Sequence, residues 1–115
     1  MTFKRGSVVL VHFPNSDLKT VKKRPALVVQ NHAVNTNLDQ TIVAMITTNL
    51  ERTGLTRVKV KTTDPTCQAM GLRTDSIVVT DNLATIKTRE IYKVIGECTI
   101  MPQIEAALKF TFGLQ

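Results

Sequence analysis

Short runs of β-branched and apolar residues, each bounded by turn residues, restrict the fold of this chain more than any other feature. The clearest run is Thr56–Lys61, where Val58 and Val60 alternate with charged residues, as in a half-buried strand. The same pattern predicts six strands, at Ser7–Phe13, Pro25–Gln30, Thr41–Thr47, Thr56–Lys61, Ser76–Thr80 and Tyr92–Cys98. Strands this short and this closely spaced favour a barrel or a sandwich over βαβ units.

Near the C-terminus the hydrophobic period changes from that of a strand to that of a helix. Four apolar residues recur there at helical spacing, namely Ile104, Ala107, Leu108 and Phe112. They predict an amphipathic helix over residues 101–112 that closes the core and ends at Gly113. A shorter helical turn is predicted around Lys87–Ile91. The longest stretches without periodicity are predicted to be loops, Asn31–Gln40 and Asp64–Thr74.

The length of 115 residues leaves room for one hydrophobic core, so a single domain over residues 1–115 is expected. A hydrophobic content of 43% suffices for a packed interior and argues against a disordered chain. Aromatic residues make up only 4%, with no Trp. This composition argues against a protein that binds single strands mainly by stacking bases on aromatic rings.

The net charge of +6 is distributed unevenly along the chain. Residues 1–40 contain six Lys and Arg against two Asp, whereas the remainder contains nine basic and seven acidic residues. A basic excess gathered in one segment is typical of a surface that binds a polyanion. Many basic domains bind no nucleic acid, so charge alone leaves both interpretations open.

Cysteine usage and hydropathy indicate where the protein works. Cys67 and Cys98 belong to no metal-binding motif, and two isolated thiols are typical of a reducing compartment. The N-terminus lacks the apolar stretch of a secretion signal, and apolar runs such as Ile42–Ile46 are too short to cross a bilayer. We expect a cytoplasmic protein without a membrane segment, a metal site or a cofactor.

Three blocks of sequence, in a fixed order, carry a resemblance to a known family. The first combines Lys4–Pro14, the dipeptide Asp17-Leu18 and the K-K-R-P-A-L-V-V segment at Lys22–Val29. The second is I-V-A-M-I-T-T at Ile42–Thr48, and the third is G-L-R-T-D-S-I-V-V-T-D-N-L-A-T-I at Gly71–Ile86. Together they resemble the MazF/PemK family of toxin endoribonucleases, the mRNA interferases of type II toxin–antitoxin systems.

The resemblance implies a mainly β fold, a small SH3-like β-barrel of the CcdB/MazF type with a C-terminal α-helix, assembled as a homodimer. It also implies a metal-independent endoribonuclease toxin that cleaves single-stranded mRNA and is neutralised by a cognate antitoxin. DNA binding is expected only through the toxin–antitoxin complex. By motif position, the catalytic residues of the family fall on Arg24 and Thr47.

These residue types suit cleavage of RNA by its own 2′-OH, which requires charge stabilisation and proton transfer but no metal. Arg24 presents a planar, permanently charged fork to phosphate, and the following Pro25 holds its backbone extended. Thr47 can donate to a nonbridging oxygen, and Asp17 can orient Arg24 or accept a proton. Plainer alternatives are a surface ion pair for Arg24, strand propensity for Thr47 and a turn for Asp17.

Six further residues are candidates for binding RNA, namely Lys19, Lys22, Lys23, Thr48, Ser76 and Asp81. Contacts of this kind position a strand without reading its bases. The competing interpretation of the lysines is a solvated surface. His12 shares a predicted strand face with Val8 and Leu10 and is expected to be partly buried. Neither His12 nor His32 matches a catalytic position of the family.

The chain departs from the family pattern at Ser7, at Asp17–Val21 and at Val79, where some relatives carry an acidic residue, another loop sequence and an Arg, respectively. These departures leave two alternatives open. One is a non-catalytic SH3-like module that binds nucleic acid or protein, and the other is a toxin of the same fold that acts on a protein such as gyrase.

Overall fold

Six strands and two helices make up the regular structure of the computed structural model, which describes residues 2–14, 19, 21–32 and 37–115. The strands are β1 (Ser7–Pro14), β2 (Val21–Val28), β3 (Gln40–Thr47), β4 (Arg57–Val60), β5 (Ser76–Lys87) and β6 (Ile91–Glu97). The helices are α1 (Pro65–Ala69) and α2 (Met101–Phe112), with a 3-10 turn at Thr88–Glu90. The predicted mainly β fold with a C-terminal helix is confirmed.

All neighbouring strands are antiparallel, in the order β4-β5-β3-β2-β1-β6. In the described part of the chain, hydrogen bonding leaves this sheet open between its two outer strands, β4 and β6. The class of fold is therefore as predicted, while the ladder does not close into a continuous barrel.

The sheet carries a packed core on each face, because adjacent residues of a strand point to opposite sides. The first core, here called the helix-side core, joins Val8 and Leu27 to Ile104 of α2. The second core, on the other face, contains Val9 and Val28. All five side chains are fully buried. The centre of the sheet thus carries packed side chains on both faces.

Two strands extend several residues beyond their predicted limits. β2 begins at Val21, four residues before Pro25, because β1 also pairs with this polar segment. The pairing of the two strands extends as far as Pro14 opposite Val21. β5 runs to Lys87, and its pairing with β3 jumps from Leu83 to Val79 between consecutive β3 residues. The intervening residues 80–82 therefore form a bulge. Their polar sequence interrupts the apolar pattern, so the second half of the strand is not predicted from the sequence.

The predicted loop at Asp64–Thr74 contains the short helix α1, so this prediction is wrong for Pro65–Ala69. The helix turns Cys67 into the core, and Pro65 occupies its first turn, where no N–H is needed. A single turn is too short to show a hydrophobic period. Residues 33–36 of the other predicted loop lie outside the described residues.

The predicted helical segments near the C-terminus are confirmed. The 3-10 turn Thr88–Glu90 falls within the predicted turn, and α2 spans residues 101–112 as expected. Gly113 ends the helix in the left-handed conformation with φ of 66°, and the N–H of Leu114 donates to the carbonyl of Lys109 at 2.8 Å. This geometry favours glycine because a side chain would be strained there.

Candidate active site

The register of β2 against β3 brings Arg24 and Thr47 together. The two strands pair from Val28–Val43 to Ala26–Met45. If the same register is extended by two residues, Arg24 lies opposite Thr47. Residues that face each other across an antiparallel pair project to the same side of the sheet. Two residues 23 positions apart in the sequence therefore share one surface.

Pro25 explains why the ladder stops just before this pair. The N–H of Val29 donates to the carbonyl of Ile42 at 3.1 Å, so alternate residues of β2 present their N–H groups towards β3. Pro25 is the second such position after Val29, opposite Ile46, and it has no N–H to donate. The strand ends at Arg24 and Thr47 are consequently left without hydrogen bonds between them in the described ladder.

A cleft of about 360 Å³ opens at these strand ends and is here called the Arg24 cleft. Its lining is made up of Arg24, Met45, Ile46, Thr47, Arg52, Val79, Asn82 and Ala84. The wall is mixed, with apolar side chains beside two guanidinium groups, a hydroxyl and an amide. Both residues that the resemblance assigns to catalysis line this one cleft.

The guanidinium of Arg24 is exposed. Within the described residues, it makes no hydrogen bond and no ion pair, since the two ion pairs found there are Arg5–Glu105 and Arg57–Asp81. Its positive charge is thus available to a ligand in the cleft. A guanidinium in this state matches two oxygens of a phosphate group.

Thr47 is half-buried at the end of β3, and its side chain is held by the turn that follows. The Thr47 Oγ1 accepts a hydrogen bond from the N–H of Asn49 at 3.1 Å. The Asn49 Oδ1 in turn accepts one from the N–H of Glu51, also at 3.1 Å. The Thr47 hydroxyl acts here as an acceptor, so its own proton remains available for donation to a ligand.

The same turn carries Arg52 into the cleft, a residue that sequence reasoning missed. The N–H of Arg52 donates to the carbonyl of Asn49 at 3.2 Å, which fixes the turn. Its side chain lines the Arg24 cleft and, in the part of the chain that the structure describes, has no acidic partner. Asn82, also missed, reaches the cleft from the bulge of β5. A basic residue shortly after the I-T-T motif was the available signal for Arg52.

The other predicted site residues are spread over both faces of the sheet. Asp17 lies outside the described residues. Lys19 and Lys22 are exposed, and Lys23 lies next to Arg24 in β2 and so projects to the opposite face. Thr48 is exposed but lines a different cleft from Thr47.

Ser76 and Asp81 both have structural partners. Ser76 is buried, and its Oγ donates to the carbonyl of Thr74 at 2.9 Å. Asp81 accepts two hydrogen bonds from Arg57, at 3.1 Å from Nη2 and at 3.4 Å from Nε. Their predicted roles in RNA binding stay predictions.

The Arg57–Asp81 pair secures the bulge that presents Asn82. Partial burial alone would raise the pKa of the Asp81 carboxyl, but the hydrogen bond and the positive charge from Arg57 outweigh it and lower this pKa. The side chains of Arg57 and Asp81 are 27% and 37% exposed, so solvent screens their attraction. Arg57 is thereby engaged within the fold, unlike Arg24.

Replacing Asp81 with asparagine is expected to lower the free energy of unfolding by about 0.5 kcal/mol at pH 7. Because the pKa of Asp81 is lowered in the folded state, this stabilisation is present above the pKa of the unfolded chain, about 3.9. It is lost as the pH falls through the lower pKa of the folded state. Urea unfolding at pH 7 and at pH 3 should therefore show a difference between Asp81→Asn and wild type that shrinks at low pH.

Asp39→Asn is the matched control, because Asp39 is exposed and its side chain has no ion pair in the described chain. Equal losses for the two variants at pH 7 would contradict a stabilising role for the Arg57–Asp81 pair.

Residues 4–112 match the model of the PemK-like, MazF-like toxin of type II toxin-antitoxin system. The chain belongs to the PemK/MazF toxin family. Comparison with curated protein sequences gave no match.

Solved structures of MazF toxins share the fold over nearly the whole chain. An endoribonuclease from a mycobacterial species, solved in complex with its cognate antitoxin, is 28% identical, with a TM-score of 0.74 over 99% of this chain and 98% of the other. The Mycobacterium tuberculosis toxin MazF-mt6 is 27% identical, with a TM-score of 0.74 over 95% and 98%. A MazE–MazF structure from Deinococcus radiodurans, 16% identical, has a TM-score of 0.76 over 100% and 99% and shows the fold alone.

The described residues contain no group of three or more His, Cys, Asp or Glu side chains arranged to hold a metal ion. None of their helices combines the length and apolar character needed to span a membrane. The two cysteines are free, with Cys67 buried and Cys98 partly buried, and burial raises the pKa of both thiols.

Proposed function

We propose that this PemK/MazF-family protein is an endoribonuclease toxin that cleaves single-stranded RNA without a metal ion. In this reaction the 2′-OH gives up its proton and attacks the adjacent phosphorus, and the bond to the 5′ oxygen breaks. The leaving 5′ oxygen takes up a proton, so the products carry a 2′,3′-cyclic phosphate and a 5′-OH. The observation that carries the proposal is that Arg24 and Thr47 line one cleft, with the Arg24 guanidinium uncommitted in the described chain.

Charge stabilisation is the task for which the cleft is best equipped. As the phosphorane forms, negative charge builds on the two nonbridging oxygens, where a preorganised cation is most effective. Arg24 supplies a fork for these oxygens, and Arg52 on the same cleft supplies a second positive charge. Thr47 donates its hydroxyl proton to one of the oxygens. The apolar wall formed by Met45, Val79 and Ala84 strengthens these interactions by excluding water.

Proton transfer needs a further group near the 2′-OH. We assign Asp17 to this role because it is the acidic residue nearest to Arg24 in the sequence. Asp81 suits the role less well, since two hydrogen bonds from Arg57 favour its charged form and occupy its oxygens. A carboxylate in this state is a weak base.

A cognate antitoxin and a second copy of the chain are the proposed protein partners. Support for the antitoxin comes from the 28% identical mycobacterial endoribonuclease, which was solved with its own. Either partner requires apolar surface, and the end of α2 with the residues that follow it exposes Phe110, Phe112 and Leu114. DNA binding is proposed only for the toxin–antitoxin complex.

The decisive experiment uses the RNA itself. A long RNA is incubated with the pure protein in excess EDTA, and its cut sites and end groups are mapped. An oligonucleotide spanning one cut site is then made with a single 2′-deoxy substitution at that position. We expect cleavage to persist in EDTA and to fall by at least about 10³-fold on the 2′-deoxy substrate, because the nucleophile has been removed.

Other outcomes would point elsewhere. Cutting of the 2′-deoxy substrate at an unchanged rate would rule out the internal nucleophile, and cutting that stops in EDTA would indicate a metal-dependent reaction. Protection of RNA without cuts would indicate a binding module. Complete inertness towards RNA would favour a toxin directed at a protein.

A further inference from the structure

A basic and aromatic cluster lies on the sheet face opposite the Arg24 cleft. The Nζ of Lys23 lies 3.4 Å from the centre of the Tyr92 ring, and the Nζ of Lys93 lies 6.0 Å from it. The His12 ring meets Tyr92 edge-on, with 5.9 Å between ring centres. His12 is exposed, contrary to the predicted partial burial, because β1 runs past the core after Val11.

A second cleft, of about 340 Å³, adjoins this cluster and is here called the Lys93 cleft. Its lining includes Leu10, Pro25, Thr48, Arg73 and Lys93. The register pairs Leu10 with both Pro25 and Lys93, which places these three side chains on one face. Lys93 therefore belongs both to the cleft and to the cluster around Tyr92.

The two clefts share the same strand ends. Along β2, Arg24 faces the Arg24 cleft and its neighbour Pro25 faces the Lys93 cleft. After β3, Thr47 and Thr48 divide in the same way. Consecutive residues thus place the two clefts on opposite faces of the same sheet edge, here called the rim, where the β2–β3 ladder stops. A flexible polymer bound in the Arg24 cleft can reach the Lys93 cleft by passing over this rim.

The charge of this face is not neutralised by the rest of the described chain. Lys23, Arg73 and Lys93 are exposed, and in the part of the molecule that is described none of them pairs with a carboxylate. Two of these charges, on Lys23 and Lys93, lie beside a tyrosine that is 47% exposed, and the third, on Arg73, lines the adjoining cleft. An ordinary solvated lysine surface lacks both the aromatic ring and the adjoining cleft, so the combination favours a ligand with phosphates and bases.

We propose that the Lys93 cleft and the Tyr92 cluster bind the stretch of single-stranded RNA that flanks the cleaved bond, which rests on the proposed function. Lys93 and Arg73 contact backbone phosphates, and Thr48 donates to one of them. Tyr92 stacks on a base, while the ammonium of Lys23 adds positive charge beside it. The surface sets affinity and register and takes no part in the chemistry.

The test measures RNA binding in a protein that cannot cut. In an Arg24→Ala background, the affinity for a fluorescent unstructured RNA is followed by anisotropy over a range of salt concentrations. Tyr92→Ala and Lys93→Ala should each raise Kd by about tenfold. Lys93→Ala should also reduce the slope of log Kd against log salt by about 0.7, as for one lost phosphate contact on a single strand. Lys93→Arg should bind like the parent protein.

Lys87→Ala is the matched control, because it removes the same charge from an exposed lysine at the far end of the β3–β5 ladder from Thr47. If Tyr92→Ala and Lys93→Ala bind RNA as Lys87→Ala does while the wild type still cuts RNA, the inference is overturned and the proposed function stands. A surface used only by protein partners would give that same result. If the wild type neither binds nor cuts RNA, the proposed function fails and the inference fails with it.

Discussion

Replacing Arg24 with alanine is expected to lower kcat for RNA cleavage by at least about 10³-fold, because the transition state loses its main source of positive charge. The fold should be unaffected, since the side chain is exposed and has no partner among the described residues. Single-turnover cleavage of a mapped RNA site gives the rate, and thermal unfolding gives the stability. Arg24→Lys should recover only part of the rate, because it restores the charge without the fork.

Arg89→Ala is the matched control for Arg24→Ala. Arg89 is exposed in the 3-10 turn, outside both clefts, and like Arg24 it has no ion pair in the described chain. Its removal should leave the rate within about twofold, as for a surface charge away from the site. An Arg24→Ala protein that cleaves RNA as fast as Arg89→Ala would eliminate the proposed mechanism.

Replacing Gly96 with alanine is expected to lower the free energy of unfolding by about 3 kcal/mol or more. A β-carbon at this position would lie 2.4 Å from the carbonyl oxygen of Ala69 and 2.4 Å from the carbonyl carbon of Met70. Both atoms are backbone, so relief requires α1 to move away from β6. Met70 is fully buried, and that movement would disturb the helix-side core. Urea unfolding of the two proteins measures the loss.

Gly113→Ala provides the comparison for Gly96→Ala. Gly113 has a φ of 66°, which strains an alanine, but no atom lies within 4 Å of the added β-carbon. Backbone strain alone costs about 1 kcal/mol at such a position. The difference between the two variants therefore isolates the steric overlap between β6 and α1. A Gly96→Ala protein as stable as Gly113→Ala would show that this close approach is not needed for folding.

Local patterns in the sequence predict most of the fold. Alternation marks β4 and the helical period marks α2, because each element buries one face and its pattern repeats over several residues. The misses have a common cause, since tertiary contacts decide them. The segment Lys22–Arg24 becomes a strand because β1 pairs with it, and a bulge hides the second half of β5. Propensity alone describes neither case.

The candidate site is harder to predict from local sequence patterns than the fold. The resemblance identifies Arg24 and Thr47, but their position on one surface depends on the register of two strands. Arg52 was missed because a turn, held by Asn49, carries it into the cleft. The partner of Asp81 is Arg57, 24 residues earlier in the chain, and no local pattern predicts that pair.

The proline in β2 has a consequence for how such a small protein keeps a site open. Adjacent strand ends tend to form hydrogen bonds with each other, because each unpaired amide is stabilised by a partner. The proline nitrogen at position 25 has no hydrogen to donate, so the next hydrogen bond is missing. The ladder between β2 and β3 therefore stops before it reaches Arg24 and Thr47. A single residue thus keeps the sheet open at this point in the described ladder.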